Sequence, residues 1–562
     1  MTLMKEIARI LDEIAALLEI KGENPFKVRA YANAARAIEA FTGDLGEMVR
    51  AGRLQEIPGI GKALADKITE LATTGQLGFY DRLVAEVPRA LIELSRVPGL
   101  GPRKAGAIYE GLGITTIGEL EYAIHENRLL TLPGFGEKTQ AKILAGLELL
   151  KQGQGRCLLA EADPLAEALL AEAEREGFVA ALAGEWRRRM ETVGRLELLV
   201  AADDPAVATA AAERLPTLAV IRARGLTGTV TPVPPATFGA ALALATGPDA
   251  FAAGLVERAA ARGFALSPAG LARAGRPMPT PDEATLFAAL DLADVPPEWR
   301  DAPEALAAAA EGRVPRLVEE GDIQGVFHVH TTWSDGKASV AEMIAAAARR
   351  GLRYVGISDH SPAAFYASGL SPARLAEQQA EIDAAARAHP GLTVLKGTEA
   401  DILPDGSIDY DAETQRRFDF IVASVHSRFK MDRDAMTARI VTALAHPRVT
   451  ILGHPTGRLL LARDPYAVDV DAVLEAAARH GVIVELNANP QRLDLDWRLL
   501  GTAKALGVAI SINPDAHAVA GYDDVRYGVG AARKGGLTAA DVFNTRPREA
   551  VLAHLAARRA RA

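Results

Sequence analysis

Apolar positions follow two different rhythms along this chain. The first twenty residues, MTLMKEIARILDEIAALLEI, place apolar side chains at helical spacing with acids on the opposite face, which predicts an amphipathic helix. Beyond residue 320 the apolar residues gather into short β-rich runs: VFHVH, YVGIS, LTVLKG, FIVASV, VTILG, VIVELN and VAISI. Helical-looking segments follow many of them, which predicts a parallel (β/α) barrel with its site at the C-terminal strand ends. No run of 18 or more apolar residues occurs, so no membrane span is expected. The first helix also lacks the layout of a signal peptide.

Composition sharpens this picture in three places. A chain of 562 residues with 49% hydrophobic content is expected to hold several domains with true cores. The single cysteine, Cys157, excludes a disulfide framework and fits a reducing, cytoplasmic setting. The formal charge of −9 excludes a chain coated in base, so any contact with nucleic acid would come from local patches.

The barrel runs carry the chemistry. His328 and His330 stand in VFHVH, Asp335 in TTWSDG, His360 in GISDH and Glu399 in KGTEAD. His426 stands in ASVHS, His454 in ILGHP, and Asp515 and His517 in INPDAH. All nine are residue types that bind divalent metals through nitrogen or oxygen. Side chains alternate along a strand, so His328/His330 and Asp515/His517 each share a side. Of eleven histidines, six fall at these strand ends. His389, His446, His480 and His554 read as surface residues. A mouth lined this way predicts a multinuclear metal site. A purely structural site closes with four ligands, whereas this one keeps positions open.

A second device repeats in the first 150 residues: IPGIGKALADKI (57–68), VPGLGPRKAGAI (97–108) and LPGFGEKTQAKI (132–143). In each copy P-G-x-G turns the chain between helical segments. The glycines allow positive φ and close approach of a ligand. The helix that follows starts with free N–H groups, an anion site. The candidate DNA-contacting residues are Gly59, Gly61 and Lys62, then Gly99, Gly101, Arg103 and Lys104, then Gly134, Gly136 and Lys138.

These motifs resemble known families. HVHTTWSDG, ISDHS, GTEADI, SVHS, GHPTG and NPDAH resemble the polymerase-and-histidinol-phosphatase (PHP) family. That resemblance implies a distorted (βα)7 barrel holding two or three Mn, Zn or Fe ions and hydrolysing phosphate esters. It further implies that His328, His330, Glu399 and Asp515 share one ion and that Asp335, His360 and His517 take a second. His426 and His454 hold a third, with Glu399 bridging. The P-G-x-G turns resemble the helix-hairpin-helix motif, which grips DNA phosphates without reading bases. With NPFKVRAYANAARAIE (24–39), the whole chain resembles the bacterial family X DNA polymerases.

The implied fold is multidomain. Residues 1–85 form a helical helix-hairpin-helix domain and 86–150 a fingers-like one. Residues 155–235 form an α/β nucleotidyltransferase-like palm and 236–300 a thumb. A linker (301–321) then leads to the PHP barrel (322–562), and KQGQGR (151–156) reads as a further joint.

The resemblance fails at the polymerase site. The family's palm reads Gly-Ser, a short Arg-rich run, then Gly-Asp-x-Asp. Here AGEWRRRMETVGRLELLV (183–200) puts Glu185 at the Ser, and Arg195 and Glu197 at the two Asp. Counting back from VPPATFGAAL (233–242) puts Thr229 at the third Asp, and TGPDAFAAG (246–254) lacks the family's Ser and Asn. Two-metal phosphoryl transfer needs carboxylates there. The expectation is a degenerate palm in a cytoplasmic, nucleoid-associated, monomeric DNA-repair enzyme. It would bind gapped or nicked DNA, and its PHP site would act as a 3′→5′ exonuclease with possible 3′-phosphatase and abasic-site activity. Two other readings stay open. One is an active polymerase using Glu197 with Asp203 or Asp204. The other is a non-catalytic gap-binding protein whose metals only stabilise the barrel.

Overall fold

The helix Leu3–Ile20 buries Ile7, Leu11, Ile14 and Leu18, the i, i+4, i+7, i+11 stripe its sequence spells. In this computed structural model it is the spine of an all-helical unit, Met1–Leu150, distinct from a second unit, Lys151–Ala562. The structure describes residues 3–39, 41, 43–151, 155–204, 206 and 214–561, so residues 152–154 of the expected joint lie outside the described residues. Among the described residues no helix is long and apolar enough to cross a membrane.

One core runs through the first unit from Ile7 to Leu147 and spans residues 85/86. Gly106 of helix Gly101–Leu112 lies so close to the Ile20 carbonyl that a Cβ would stand 2.5 Å from it. That contact ties the second hairpin to the first helix.

The second unit opens with a three-stranded sheet, Ala180–Ala183, Arg195–Ala201 and Thr227–Val233. The first pair is antiparallel and the second parallel, with Glu197 directly opposite Thr229. Leu196, Leu198 and Val200 share a core with helix Leu159–Arg175, while Leu199 packs on the other face against Phe238 and Leu242. Next come helices Phe238–Thr246 and Asp249–Ala261, a small antiparallel sheet and helix Glu283–Ala289. The stretch 301–321, expected as a linker, is not a free tether. It is helical over Ala305–Ala310, and Ala305, Ala308 and Ala309 join the thumb-like core. Their i, i+3, i+4 spacing gives a small apolar face, so the alanine run packs instead of extending.

Charged staples hold these parts together. Glu283 pairs with Arg187 at 2.6 Å and with the fully buried Arg300 at 2.7 Å. Burial alone would raise the Glu283 pKa, but the two guanidiniums bring it down to about 2. A depressed carboxylate stabilises the fold in full above its unfolded value near 4.5 and loses that contribution as pH falls toward about 2. Glu283→Gln should therefore cost on the order of 3 kcal/mol near pH 7. The deficit relative to wild type should shrink as pH drops below about 4. Denaturant unfolding at both pH values checks this, and a deficit that grows in acid contradicts it.

The barrel fills the C-terminal part. Its strands are Gly325–Val326, Tyr354–Ile357, Thr393–Lys396, Glu399–Asp401, Val422–Ser424, Ile451–Leu452, Ile483–Asn487 and Ile510–Asn513, all parallel. The third predicted run, LTVLKG, forms the strand Thr393–Lys396, and after Gly397–Thr398 a further strand, Glu399–Asp401, begins in a different sheet. Bridges His360–Glu399 and Val329–Ala516 close the ring at the two seams. Seven positions around a ring with split seams give the distorted (βα)7 barrel. Phe327, Tyr354, Phe420 and Phe543 fill an apolar layer with Val551 and Leu555 of helix Arg548–Arg559.

Candidate functional site

All nine candidate ligands converge at the C-terminal ends of the barrel strands. Eight are buried and His426 lies at the edge. Their ligand atoms form four overlapping groups: His330/Asp335/His360/His517, His328/His454/Asp515, His328/His330/Glu399 and His360/Glu399/His426. Glu399 sits at the centre. Its oxygens lie 2.7 Å from His454, 2.9 Å from His360, 3.1 Å from His426 and 3.4 Å from His328. Asp335 lies 3.5 Å from His360 and 3.4 Å from His517, and Asp515 lies 3.1 Å from His330.

These spacings fit shared ions. Two ligands about 2.1 Å from one ion at 90–110° stand about 3.0–3.4 Å apart. His328 Nε2, both ring nitrogens of His330 and of His360, and His454 Nδ1 are buried and make no hydrogen bond. His360 Nδ1 and His330 Nε2 already face Glu399 and Asp515, and burying the other four without a partner costs free energy that an ion would return. The donor set of imidazoles and carboxylates suits Mn, Fe or Zn. The grouping differs from the family partition in three respects: His330 also stands with Asp335, His360 and His517, His454 also stands with His328 and Asp515, and His360 also stands with Glu399 and His426.

Neighbours fix which nitrogen faces inward. Glu485 holds His328 Nδ1 at 2.7 Å and Asp401 holds His426 Nδ1 at 2.6 Å. His517 Nδ1 donates to the Asp515 carbonyl at 2.9 Å. Each leaves Nε2 for a metal. Asn487 donates to Asp515 at 3.0 Å, and Asp359 accepts from the Thr331 amide and hydroxyl, both at 2.7 Å, anchoring the turn that bears Asp335. The sequence reading missed Glu485, Asp401 and Asp359. The available signal was an acid inside an apolar run, VIVELN, and an acid two residues past Glu399. His454 (φ 22°) and Asp515 (φ 53°) sit in the left-handed region, a strain of about 1–3 kcal/mol each that marks constrained sites.

Electrostatics favour ionised carboxylates. Burial alone would raise Asp335, Glu399 and Asp515, but adjacent imidazoles hold them well below the usual carboxylate range. Burial opposes charge on His426, yet Glu399 and Asp401 push it up to about 9. Burial lowers His330 and His454. Of the remaining histidines, His389, His446, His480 and His554 are half-buried, not surface residues. The His554 ring packs edge-on against Phe543 at 4.9 Å.

The three P-G-x-G turns share one geometry. Gly59, Gly99 and Gly134 have φ of 92°, 92° and 85°, and Ile60, Leu100 and Phe135 each donate to the residue three before at 3.0–3.1 Å. Gly101 is also left-handed at 67°. Gly61 and Gly136 need neither positive φ nor internal space, since a Cβ at either would meet nothing within 4 Å. Lys62, Arg103 and Lys138 are exposed, whereas Lys104 folds back to the Gly99 carbonyl at 3.3 Å.

In the palm, Arg195 pairs with Glu197 at 2.9 Å, and Glu185 is taken by Arg156 at 3.0 Å and the Gly194 amide at 2.8 Å. They line a cavity of about 640 Å³. The three consecutive arginines are all engaged: Arg187 with Glu283, Arg188 with Asp301 and Arg189 with Asp163. Asp203 and Asp204 are exposed, beyond the end of the Arg195–Ala201 strand.

Comparison with known proteins agrees with this layout. Residues 4–77 match the helix-hairpin-helix domain, and 91–148 match the SAM-like helix-hairpin-helix tandem. Residues 241–301 match the DNA polymerase beta thumb and 327–489 the PHP domain. The chain is 35% identical over 575 residues to the DNA polymerase/3′-5′ exonuclease PolX of Bacillus subtilis (strain 168), covering 98% of this chain and 99% of that protein. A shorter stretch, 34% of this chain, is 28% identical over 207 residues to a probable phosphatase of Caldanaerobacter subterraneus subsp. tengcongensis, covering 74% of it. A probable phosphatase of Caldicellulosiruptor saccharolyticus is 29% identical over 201 residues, 34% of this chain and 78% of that protein.

Proposed function

Because the chain belongs to the bacterial PolX family, X-family DNA polymerases that carry a PHP domain, we propose that its working catalyst is the barrel. The proposed reaction is metal-dependent hydrolysis of phosphodiesters at DNA 3′ ends. One observation carries this reading: six imidazoles and three carboxylates converge on one mouth, in groups whose ligand atoms lie within 4.8 Å of one another. Divalent ions bound there supply Lewis acidity toward a phosphate. His330, Asp335, His360 and His517 would hold one ion. His328, His454 and Asp515 would hold another, and His426 with Glu399 and His360 a third. Glu399 joins the groups through its two oxygens, while Glu485 and Asp401 keep the rings aligned. Removal of a 3′ phosphate, a reading supported by the relatives named probable phosphatases, and cleavage at abasic sites would be further reactions of the same centre.

The test is digestion of a 3′-labelled strand by the purified chain. A chelator should stop it and Mn²⁺ should restore it. Digestion indifferent to the chelator counts against the reading, and no digestion with Mn²⁺, Zn²⁺ or Fe²⁺ leaves a gap-binding scaffold.

The hairpin turns would supply the DNA grip, binding gapped or nicked DNA as a cytoplasmic monomer. Gly61→Val with Gly136→Val should weaken binding to gapped DNA about tenfold or more, because side chains would stand where phosphates approach the backbone. Binding should ignore sequence and fall as salt rises. These positions have ordinary φ and open surroundings, so the helices should persist. A salt series on wild type and variant measures this, and unchanged gap affinity refutes the hairpin assignment.

A further inference from the structure

Phe365, five residues past the candidate ligand His360, is an aromatic ring left 76% exposed. It stands on the loop that follows His360. The Leu370 amide donates to the His360 carbonyl at 2.8 Å, so residues 361–369 leave and return at that ligand. The loop is tied on several sides. The Ala363 amide donates to Asp409 at 2.8 Å, the Tyr410 hydroxyl to the Leu370 carbonyl at 2.6 Å, and Arg374 to the Ser368 carbonyl at 2.6 Å. Phe365–Ala367 forms a single tight turn, with the Tyr366 ring edge-on to Phe365 at 5.7 Å. A loop held this firmly does not expose a ring through slackness. Burying that ring would yield about 1.5–3 kcal/mol, and the fold forgoes it.

Five residues of chain reach at most about 18 Å, so the ring lies within a few nucleotides of a phosphate held at His360. Among the described barrel residues the other exposed large apolar side chains are Leu461, Leu506 and Leu552, none aromatic. One exposed ring, flanked by the half-buried Tyr366, is too small an apolar area for a protein interface and suits a flat π-face. We propose that Phe365 stacks on a nucleobase at the 3′ end of the substrate strand and so holds the scissile phosphodiester over the metal centre. This rests on the reading of the barrel as a 3′-end nuclease. Stacking is indifferent to base identity, which suits an enzyme that must remove any terminal nucleotide.

The experiment compares wild type, Phe365→Ala and Phe365→Trp with Mn²⁺ on two single strands. One is ordinary DNA, and the other ends in tetrahydrofuran abasic residues at its last three 3′ positions. Stacking on one base is worth roughly five- to a hundredfold in affinity. Phe365→Ala should raise KM on ordinary DNA by that factor with kcat little changed, and Phe365→Trp should restore it. On the abasic strand wild type and Phe365→Ala should have the same KM. An unchanged KM on ordinary DNA overturns the stacking role alone, as does an equal loss on both strands. Wild type that digests neither strand overturns the nuclease reading itself.

Discussion

Asp335→Ala combined with His360→Ala should lower hydrolysis of 3′-labelled DNA by at least about 10³-fold with Mn²⁺ present. Changing a residue that merely orients a metal ligand typically costs about 10–100-fold. These two residues would bind an ion directly, since they are 3.5 Å apart in the group that also contains His330 and His517. Removing both leaves two imidazoles and no carboxylate in that group, too few charges to hold a divalent ion against solvent. Glu485→Gln should give the milder loss, about 10–100-fold, because it disturbs only the tautomer and tilt of His328. DNA binding should survive in both variants, since the hairpin turns belong to the other unit. Metal content read by elemental analysis separates lost metal from lost chemistry. The double variant digesting DNA at the wild-type rate would sink the barrel as the catalyst.

Periodicity made the barrel legible and distance made the rest illegible. The spacing of two in VFHVH put both imidazoles on one side, and just past the strand Gly325–Val326 the structure sets their rings 5.1 Å apart. The same rule applied to Glu399 would have reached Asp401, whose carboxylate holds His426. Glu485 was harder. An acid inside VIVELN reads as an oddity in a buried strand, and its partner His328 stands 157 residues away. Which ligands share an ion depends on angstroms, so the sequence offered only a family's partition. The structure adds His330 to the Asp335 group and His454 to the Asp515 group. The alanine stretch before the barrel was ambiguous for a different reason. Ala favours helix yet carries little apolar area, so composition did not decide between a tether and a packed helix. Lys104 was a reasonable phosphate contact by position, but its own turn carbonyl competes for the ammonium.

A one-nucleotide gap offered with Mg²⁺ and deoxynucleotides should show no template-directed extension by the wild-type chain. Phosphoryl transfer by two ions needs carboxylates that neutralise both and hold them about 3.5–4 Å apart. At the three positions where the family places them, this chain has a cation, an acid already paired with that cation, and a neutral hydroxyl: Arg195, Glu197 and Thr229. Glu185, at the family's Ser position, lines the same cavity and is paired with Arg156. The arginines that precede this strand are tied to Glu283, Asp301 and Asp163 and brace the fold. The triple change Arg195→Asp, Glu197→Asp, Thr229→Asp should therefore still fail to extend, since the charges around it remain arranged for packing. Extension by wild type that disappears in Glu197→Ala would restore the palm as an active site, with Glu197 as its metal ligand.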